Sequence, residues 1–150
     1  MNNIDIIKAV TENLKSIFKG EGIDLSEKVF KSSHNLPKGA KPPGSRPLGR
    51  LDYKGEAFEY GYGARAYYAN ARFGLSLFLR DSNEKNLTRL TQEWVHKIRE
   101  ALTVNGVNVG SLASIKPVTR AEIDKVQVIS DGKEQSVEVR FDVFIRYREV

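Results

Sequence analysis

Two stretches in which apolar and polar residues alternate constrain the fold most, because only a β-strand with one buried face places every second side chain on the same side. They cover residues 71–80 and 137–147. The second stretch follows a loosely alternating segment, 123–129, and a Ser-Asp-Gly-Lys turn at 130–133, which together predict a β-hairpin. The chain is therefore expected to form an antiparallel sheet with one apolar face.

Two segments carry the helical period instead and end near glycines that favour helix termination. Residues 4–18 precede Gly20 and Gly22, and residues 87–102 precede Gly106. Their apolar stripes are Ile4, Ile7, Val10, Leu14 and Ile17 in the first, and Leu87, Leu90, Trp94, Ile98, Ala101 and Leu102 in the second.

Two further strands are predicted between these segments, an aromatic-rich one at 57–68 and a short one within 25–31. The expected fold class is α+β: an antiparallel or mixed sheet of about four strands with both helices packed on one face, plus a long basic loop.

Length and composition favour a single soluble domain spanning residues 1–150. The sequence contains no cysteine, which excludes thiolate metal clusters and thiol nucleophiles. Residues 1–18 have polar and charged residues spaced through them, so neither a signal peptide nor a membrane span is expected there, and synthesis in the cytoplasm follows.

Residues 31–54 hold six basic residues against one acid, Asp52, and so account for the net charge of the whole chain, +5. Four prolines and three glycines in the same stretch exclude a helix or an inner strand, which predicts a mobile, exposed loop. A solvated insertion, a nucleic-acid contact and a contact with an acidic protein all remain open. The predicted partner-binding residues are Lys31, Lys38, Lys41, Arg46, Arg50 and Lys54.

The titratable residues do not form a convincing catalytic or metal-binding set. His34 and His96 are expected to be ordinary surface histidines, because two histidines without cysteine make a poor metal site. Asp81 and Glu84 lie three residues apart before the second helix, where capping explains them. We therefore expect no enzymatic activity, no metal and no cofactor.

A glycine pattern at Gly61, Gly63 and Ala66, followed by Asp81, matches the loose dinucleotide-binding fingerprint. That fingerprint requires a helix directly after the glycines to hold the pyrophosphate. Residues 71–80 alternate with the period of a strand, so we reject this interpretation.

Three blocks of the chain resemble the tail terminator (tail completion) proteins of long-tailed bacteriophages and phage-tail-like particles. The blocks are the N-terminal helix, the segment ARFGLSLFLRDSNEKNLTRLTQEWVHKIREAL, and the terminal strand SVEVRFDVFIRYREV with its aromatic and acidic end. The resemblance covers most of the chain apart from the basic segment at 31–54, where many family members have a shorter, more acidic stretch.

The resemblance implies a ring, usually a hexamer, that caps the tail tube, stops its polymerisation and joins it to the head or neck. The implied partners are further copies of this chain, the tube protein, a head-completion or neck protein and DNA in the lumen, with no membrane. The implied location is the head-proximal end of the virion tail. Another head-to-tail connector, and a small nucleic-acid-binding domain using the basic loop, are the alternatives.

A ring needs two different surfaces on each subunit. The mixed-charge sheet face with two phenylalanines is the predicted subunit contact, and a solvated face is the alternative. Its candidate residues are Arg72, Phe78, Arg80, Phe144, Arg146 and Arg148.

Overall fold

The computed structural model describes residues 2–25, 47–60, 66–81, 83–102, 115, 117–131 and 136–149. Two helices and five strands lie within them. The helices are α1 (Asn3–Gly20) and α2 (Glu84–Leu102), and the strands are β1 (Asp24–Leu25), β2 (Leu48–Tyr60), β3 (Ala66–Arg80), β4 (Val118–Asp131) and β5 (Ser136–Arg148).

All five strands form one sheet in the order β1-β2-β3-β5-β4. The pairs β2–β3, β3–β5 and β5–β4 are antiparallel, whereas β1 runs parallel to β2. The sheet is therefore mixed, and the predicted α+β class is confirmed. The strand count is five rather than about four, because the two-residue β1 adds an edge strand beside the start of β2.

The core lies between the helices and one face of the sheet, the core face. Alternate residues of β3 and β5 supply that face: Phe73 pairs with Val143 and Leu75 with Phe141, and all four are buried. Both helices bury apolar side chains in the same cluster. In α1 the predicted stripe is partly wrong, because Ile4 is exposed and Ile7 and Ile17 are only partly buried. The helical residues concerned are Ile6, Val10, Leu14 and Phe18 in α1, and Leu87, Trp94, Ile98 and Leu102 in α2.

Asparagine side chains begin both helices, as capping chemistry favours. The Asn2 side chain accepts from the Asp5 amide at 2.9 Å, and the Asp5 carboxylate accepts from the Asn2 amide. At α2, Asn83 Oδ1 accepts from the Lys85 amide at 3.0 Å, and Asp81 accepts from the Asn83 amide. The predicted structural role of Asp81 is confirmed, although the capping residue itself is Asn83.

Two predicted boundaries are wrong. The strand predicted at 57–68 is the end of β2 and the start of β3, since β2 runs to Tyr60 and β3 begins at Ala66. The loop predicted at 31–54 includes residues 48–54, which lie in β2 because they pair with β3 despite their charges. Residues 31–46 of that prediction lie outside the described residues.

Replacement of Ile98 by alanine tests the packing of α2 on the sheet. Ile98 is completely buried, so Ile98→Ala is expected to lower the free energy of unfolding by about 2–5 kcal/mol. Urea titration followed by circular dichroism measures the change. His96→Ala is the control on the same helix because that side chain is 73% exposed. Equal stability of the two variants would contradict this packing.

Candidate interaction surfaces

The sheet face turned away from the helices, the outer face, is built from the charged positions of the alternating strands. Lys54 lies on this face by alternation with Arg50 and Asp52. The β-bulge at the β2–β3 register shift follows it, which Gly55 permits through its φ of +105°, and turns Glu56 to the core face. Gly74 opens a path for the Lys54 side chain, because a Cβ on Gly74 would lie 2.5 Å from Lys54 Cε. Lys54 Nζ thereby reaches Asp142 Oδ1 on β5 at 3.4 Å.

Ion pairs cover most of the outer face. Arg72 Nη1 lies 2.6 Å from Asp124 Oδ2, two strands away, and Arg146 Nε lies 2.9 Å from Glu59 Oε2. Pairs within a strand add to these: Arg50 with Asp52, Arg120 with Glu122, and Arg140 with Glu138. Apart from the Arg140 pair, whose partner Glu138 is buried, these are exposed pairs that contribute about 0–1 kcal/mol each, so they neutralise the face more than they stabilise it.

Guanidinium groups also cover the aromatic rings of this face. The Phe144 ring has Arg72 Cζ 5.3 Å and Arg120 Cζ 5.9 Å from its centroid, and Arg146 Cζ lies 3.9 Å from the Tyr68 centroid. These distances suit cation–π attraction. Phe144 is half-buried, and two guanidinium groups of its own chain lie beside its ring.

The six predicted contact residues fall into two groups. Arg72, Phe144, Arg146 and Arg148 lie together on the outer face, with Arg72 and Arg148 exposed. Phe78 and Arg80 lie at the other end of β3, and Phe78 is only 4% exposed. Phe78 occupies an outer-face position of β3 but is buried there between Leu48 on β2 and Glu138 on β5, so Phe144 is the more accessible of the two phenylalanines.

Sequence reasoning missed Asp124 and Arg120 as partners on this face. Asp124 lies on this face by alternation with Glu122, but its ion pair with Arg72 reaches across β5, which separates β4 from β3. No local pattern indicates this strand order.

The predicted partner-binding cations are divided between two environments. Arg50 and Lys54 lie on β2 and are ion-paired, whereas Lys31, Lys38, Lys41 and Arg46 lie outside the described residues. The chain leaves the described region at Leu25 and returns at Pro47. These two points are adjacent, because the Asp24 amide donates to the Pro47 carbonyl at 2.9 Å.

A groove of about 310 Å³ lies beside that junction, between α1 and the β1–β2 edge. Among the described residues, Lys15 and Lys19 of α1 and Arg50 of β2 supply its basic groups, and Asp52 is the one acidic residue. The groove is therefore basic and adjoins both ends of the basic segment. The remaining lining residues are Thr11, Leu25 and Leu51.

A buried polar cluster lies on the core face near the C-terminus. The fully buried Tyr147 donates its hydroxyl hydrogen to the Glu56 carboxylate on β2. Burial, followed by the Glu56 hydrogen bond and charge, raises the pKa of Tyr147 well above its usual range. Burial and Glu56 also raise the pKa of Tyr53.

The α1 N-terminus is attached to the same end of the sheet. Asn3 Nδ2 donates to Glu149 Oε1 at 2.6 Å, and the Glu149 amide donates to the Tyr67 carbonyl at 3.0 Å. These bonds fix the last described residue between α1 and β3.

The titratable groups of the described residues do not converge on a reactive centre. His96 is exposed on α2 and contacts Glu100, with Nε2 and Oε1 3.0 Å apart, while His34 lies outside these residues. No group of three or more metal-ligating side chains occurs in the described part of the chain. β3 begins at Ala66, where the dinucleotide fingerprint would require a helix.

Neither helix, α1 nor α2, is long and apolar enough to cross a membrane, as judged on the described residues. Comparison of the sequence with models of known protein families and with curated proteins finds no match.

Tyr147→Phe tests the buried tyrosine through the pH dependence of stability. The fold raises the pKa of Tyr147 above about 10, its value in the unfolded chain. The stabilisation that the protonated Tyr147 gives the folded state is therefore fully present below pH 10 and falls as the pH rises above it. The loss is about 1.4 kcal/mol per pH unit for one proton. Chemical denaturation of the wild-type protein and the variant between pH 9 and pH 11, a range around the ordinary tyrosine pKa, measures how the free energy of unfolding of each changes with pH.

In the Tyr147→Phe variant this one-proton slope should disappear, and stability below pH 10 should fall by about 1–3 kcal/mol because the Glu56 carboxylate loses its donor. The same pH slope in both proteins would show that Tyr147 is not held protonated by the fold.

Proposed function

We propose that this chain is a non-enzymatic structural protein of the tail terminator type, which forms a ring on the end of a phage tail tube. The ring, a hexamer in the family it resembles, would stop tube polymerisation and provide the joining surface to the head or neck. Its place would be the head-proximal end of the virion tail. The partners would be the tube protein, a neck protein and, at the lumen, DNA.

The observation that carries the proposal is the arrangement, in the fold, of the blocks that resemble tail terminator proteins. β3, α2 and β5 form the middle of the fold, with α2 on the core face and the outer face extending across the strands. The polar groups of that outer face are occupied with one another in ion pairs. Such a molecule offers broad, shaped surfaces for contact, which suits a protein that acts by assembly.

A different head-to-tail connector would need the same kind of surfaces, so it is the nearest alternative within the structural class. It would differ in its partner: a connector binds the portal side, whereas a terminator binds the end of the tube. Binding to purified tube rings therefore separates the two.

Light scattering coupled to size-exclusion chromatography tests the ring. The protein of 16.9 kDa is expected to elute at a discrete multiple of its mass, about 101 kDa for a hexamer, either alone or after addition of tube protein. Bovine serum albumin serves as the calibration control. A strictly monomeric mass under both conditions would overturn the proposal.

Nucleic-acid binding is a second candidate function, favoured by the groove that holds Lys15, Lys19 and Arg50. This groove adjoins the two ends of a segment rich in lysine and arginine. Phosphates bound by such groups release counterions, so the affinity would depend steeply on salt.

A salt titration of fluorescent double-stranded DNA binding tests this candidate. The logarithm of the association constant should fall linearly with the logarithm of salt concentration, by about 0.9 per phosphate neutralised. Lys15→Gln combined with Lys19→Gln should reduce the slope by about 2. Lys85→Gln, on the exposed start of α2, is the control. Absence of binding at low salt would eliminate this function.

A further inference from the structure

The exposed apolar side chains are concentrated at one end of the molecule. Six large hydrophobic side chains of the described residues are exposed, and four of them lie near the C-terminal end of β5. Phe58 is level with Tyr147, Tyr60 and Tyr67 lie just past the last β3–β5 pair, and Ile4 is in the first turn of α1. We call these four residues the aromatic end: Ile4, Phe58, Tyr60 and Tyr67.

The register and hydrogen bonds place these four residues together. β5 ends at Arg148, opposite Tyr68, while β2 and β3 continue past it as a two-stranded ribbon that pairs Tyr60 with Ala66. Ile4 follows Asn3, which is bonded to Glu149, and Glu149 is in turn bonded to Tyr67. A concentration of exposed apolar side chains marks an interaction site. Tyr60, 66% exposed, is its most exposed aromatic residue.

A second apolar surface lies diagonally across the molecule. Val128, 51% exposed, lines a groove of about 300 Å³ between α2 and the edge strand β4. Leu87 and Val137 complete the apolar floor. Hydroxyl and amide groups surround it, from Thr88, Thr91, Gln92 and Ser130.

The aromatic end cannot reach the groove of its own chain. Val128 pairs with Val139, nine residues along β5 from Arg148, which is about 30 Å at 3.3 Å per residue. β2 and β4 are also three strand spacings apart, about 14 Å. A contact between the two surfaces therefore requires two copies.

The groove has the chemistry that a tyrosine side chain needs. Its apolar floor suits the ring, and its rim of neutral hydrogen-bonding groups suits the phenolic hydroxyl. The rim holds no charged side chain among the described residues, so a neutral aromatic ring meets no charge that it would have to desolvate.

We infer that the aromatic end of one copy docks, through Tyr60, into the α2–β4 groove of the next copy. This inference rests on the proposed ring, and it assigns the contact that closes it. The two surfaces differ and lie at opposite corners, which makes the contact heterologous, and a heterologous contact repeated around an axis closes a ring. A symmetric pairing of two aromatic ends would leave both grooves exposed.

Cysteine cross-linking tests the contact, and the natural sequence supplies a cysteine-free background. Tyr60→Cys and Val128→Cys are combined in one chain and treated with a short bismaleimide. The expected result is a ladder of covalent species that extends past the dimer and stops at the ring size measured for the wild-type protein. Each single variant can give a dimer at most. Both side chains are exposed, and circular dichroism verifies folding.

The matched control combines Tyr60→Cys with Gln127→Cys. Gln127 is exposed on the same edge strand but pairs with Arg140, so it lies on the outer face. A ladder from the Gln127 combination and none from the Val128 combination would move the contact to the outer face and overturn the inference, while the ring itself would stand. A ring-sized mass with no cross-linked ladder from either combination would also overturn the inference and leave the ring itself standing. A monomer alone and with tube protein, and no ladder, would overturn both the inference and the proposed function.

Discussion

The pairing of β3 with β5 is the interaction on which the rest of the structure depends. β3 is the middle strand of the five described, and its pairing with β5 connects the β1–β2 side of the sheet to β4. Their register fixes the core face, because it places Phe73 beside Val143 and Leu75 beside Phe141 under the helices. A slip of one residue would turn every one of these side chains to the outer face.

The same register determines the chemistry of the outer face. It places Arg72 opposite Phe144 and brings Gly74 opposite Asp142, where Lys54 crosses to form its ion pair. Because these charges are satisfied within the chain, the outer face does not require a partner for its stability. The exposed apolar surfaces, which gain most from being covered, lie at the aromatic end and at the α2–β4 groove. For this reason we assign subunit contact to them and regard the outer face as the competing surface.

The fold was predictable where one period repeats over many residues. The alternation at 71–80 and 137–147 predicted β3 and β5, and the helical period predicted α1 and α2, because most of their apolar residues pack into one core. Prediction failed for residues 48–54, where proline, glycine and charge indicated a loop. There, pairing with β3 compensates for low strand propensity, and propensity alone does not include a partner strand.

The sequence by itself determined the two long alternating strands, the amphipathic character of both helices and the concentration of the net charge in one segment, since each of these is a local property of order or composition. Only the tertiary structure decided that Arg72 pairs with Asp124, that Tyr147 meets Glu56 and that Phe78 is buried. These contacts join residues distant in the chain through bulges and strand order, which no short-range pattern encodes. The gathering of Ile4 with Phe58, Tyr60 and Tyr67 has the same origin: two ends of the chain meet where β5 stops.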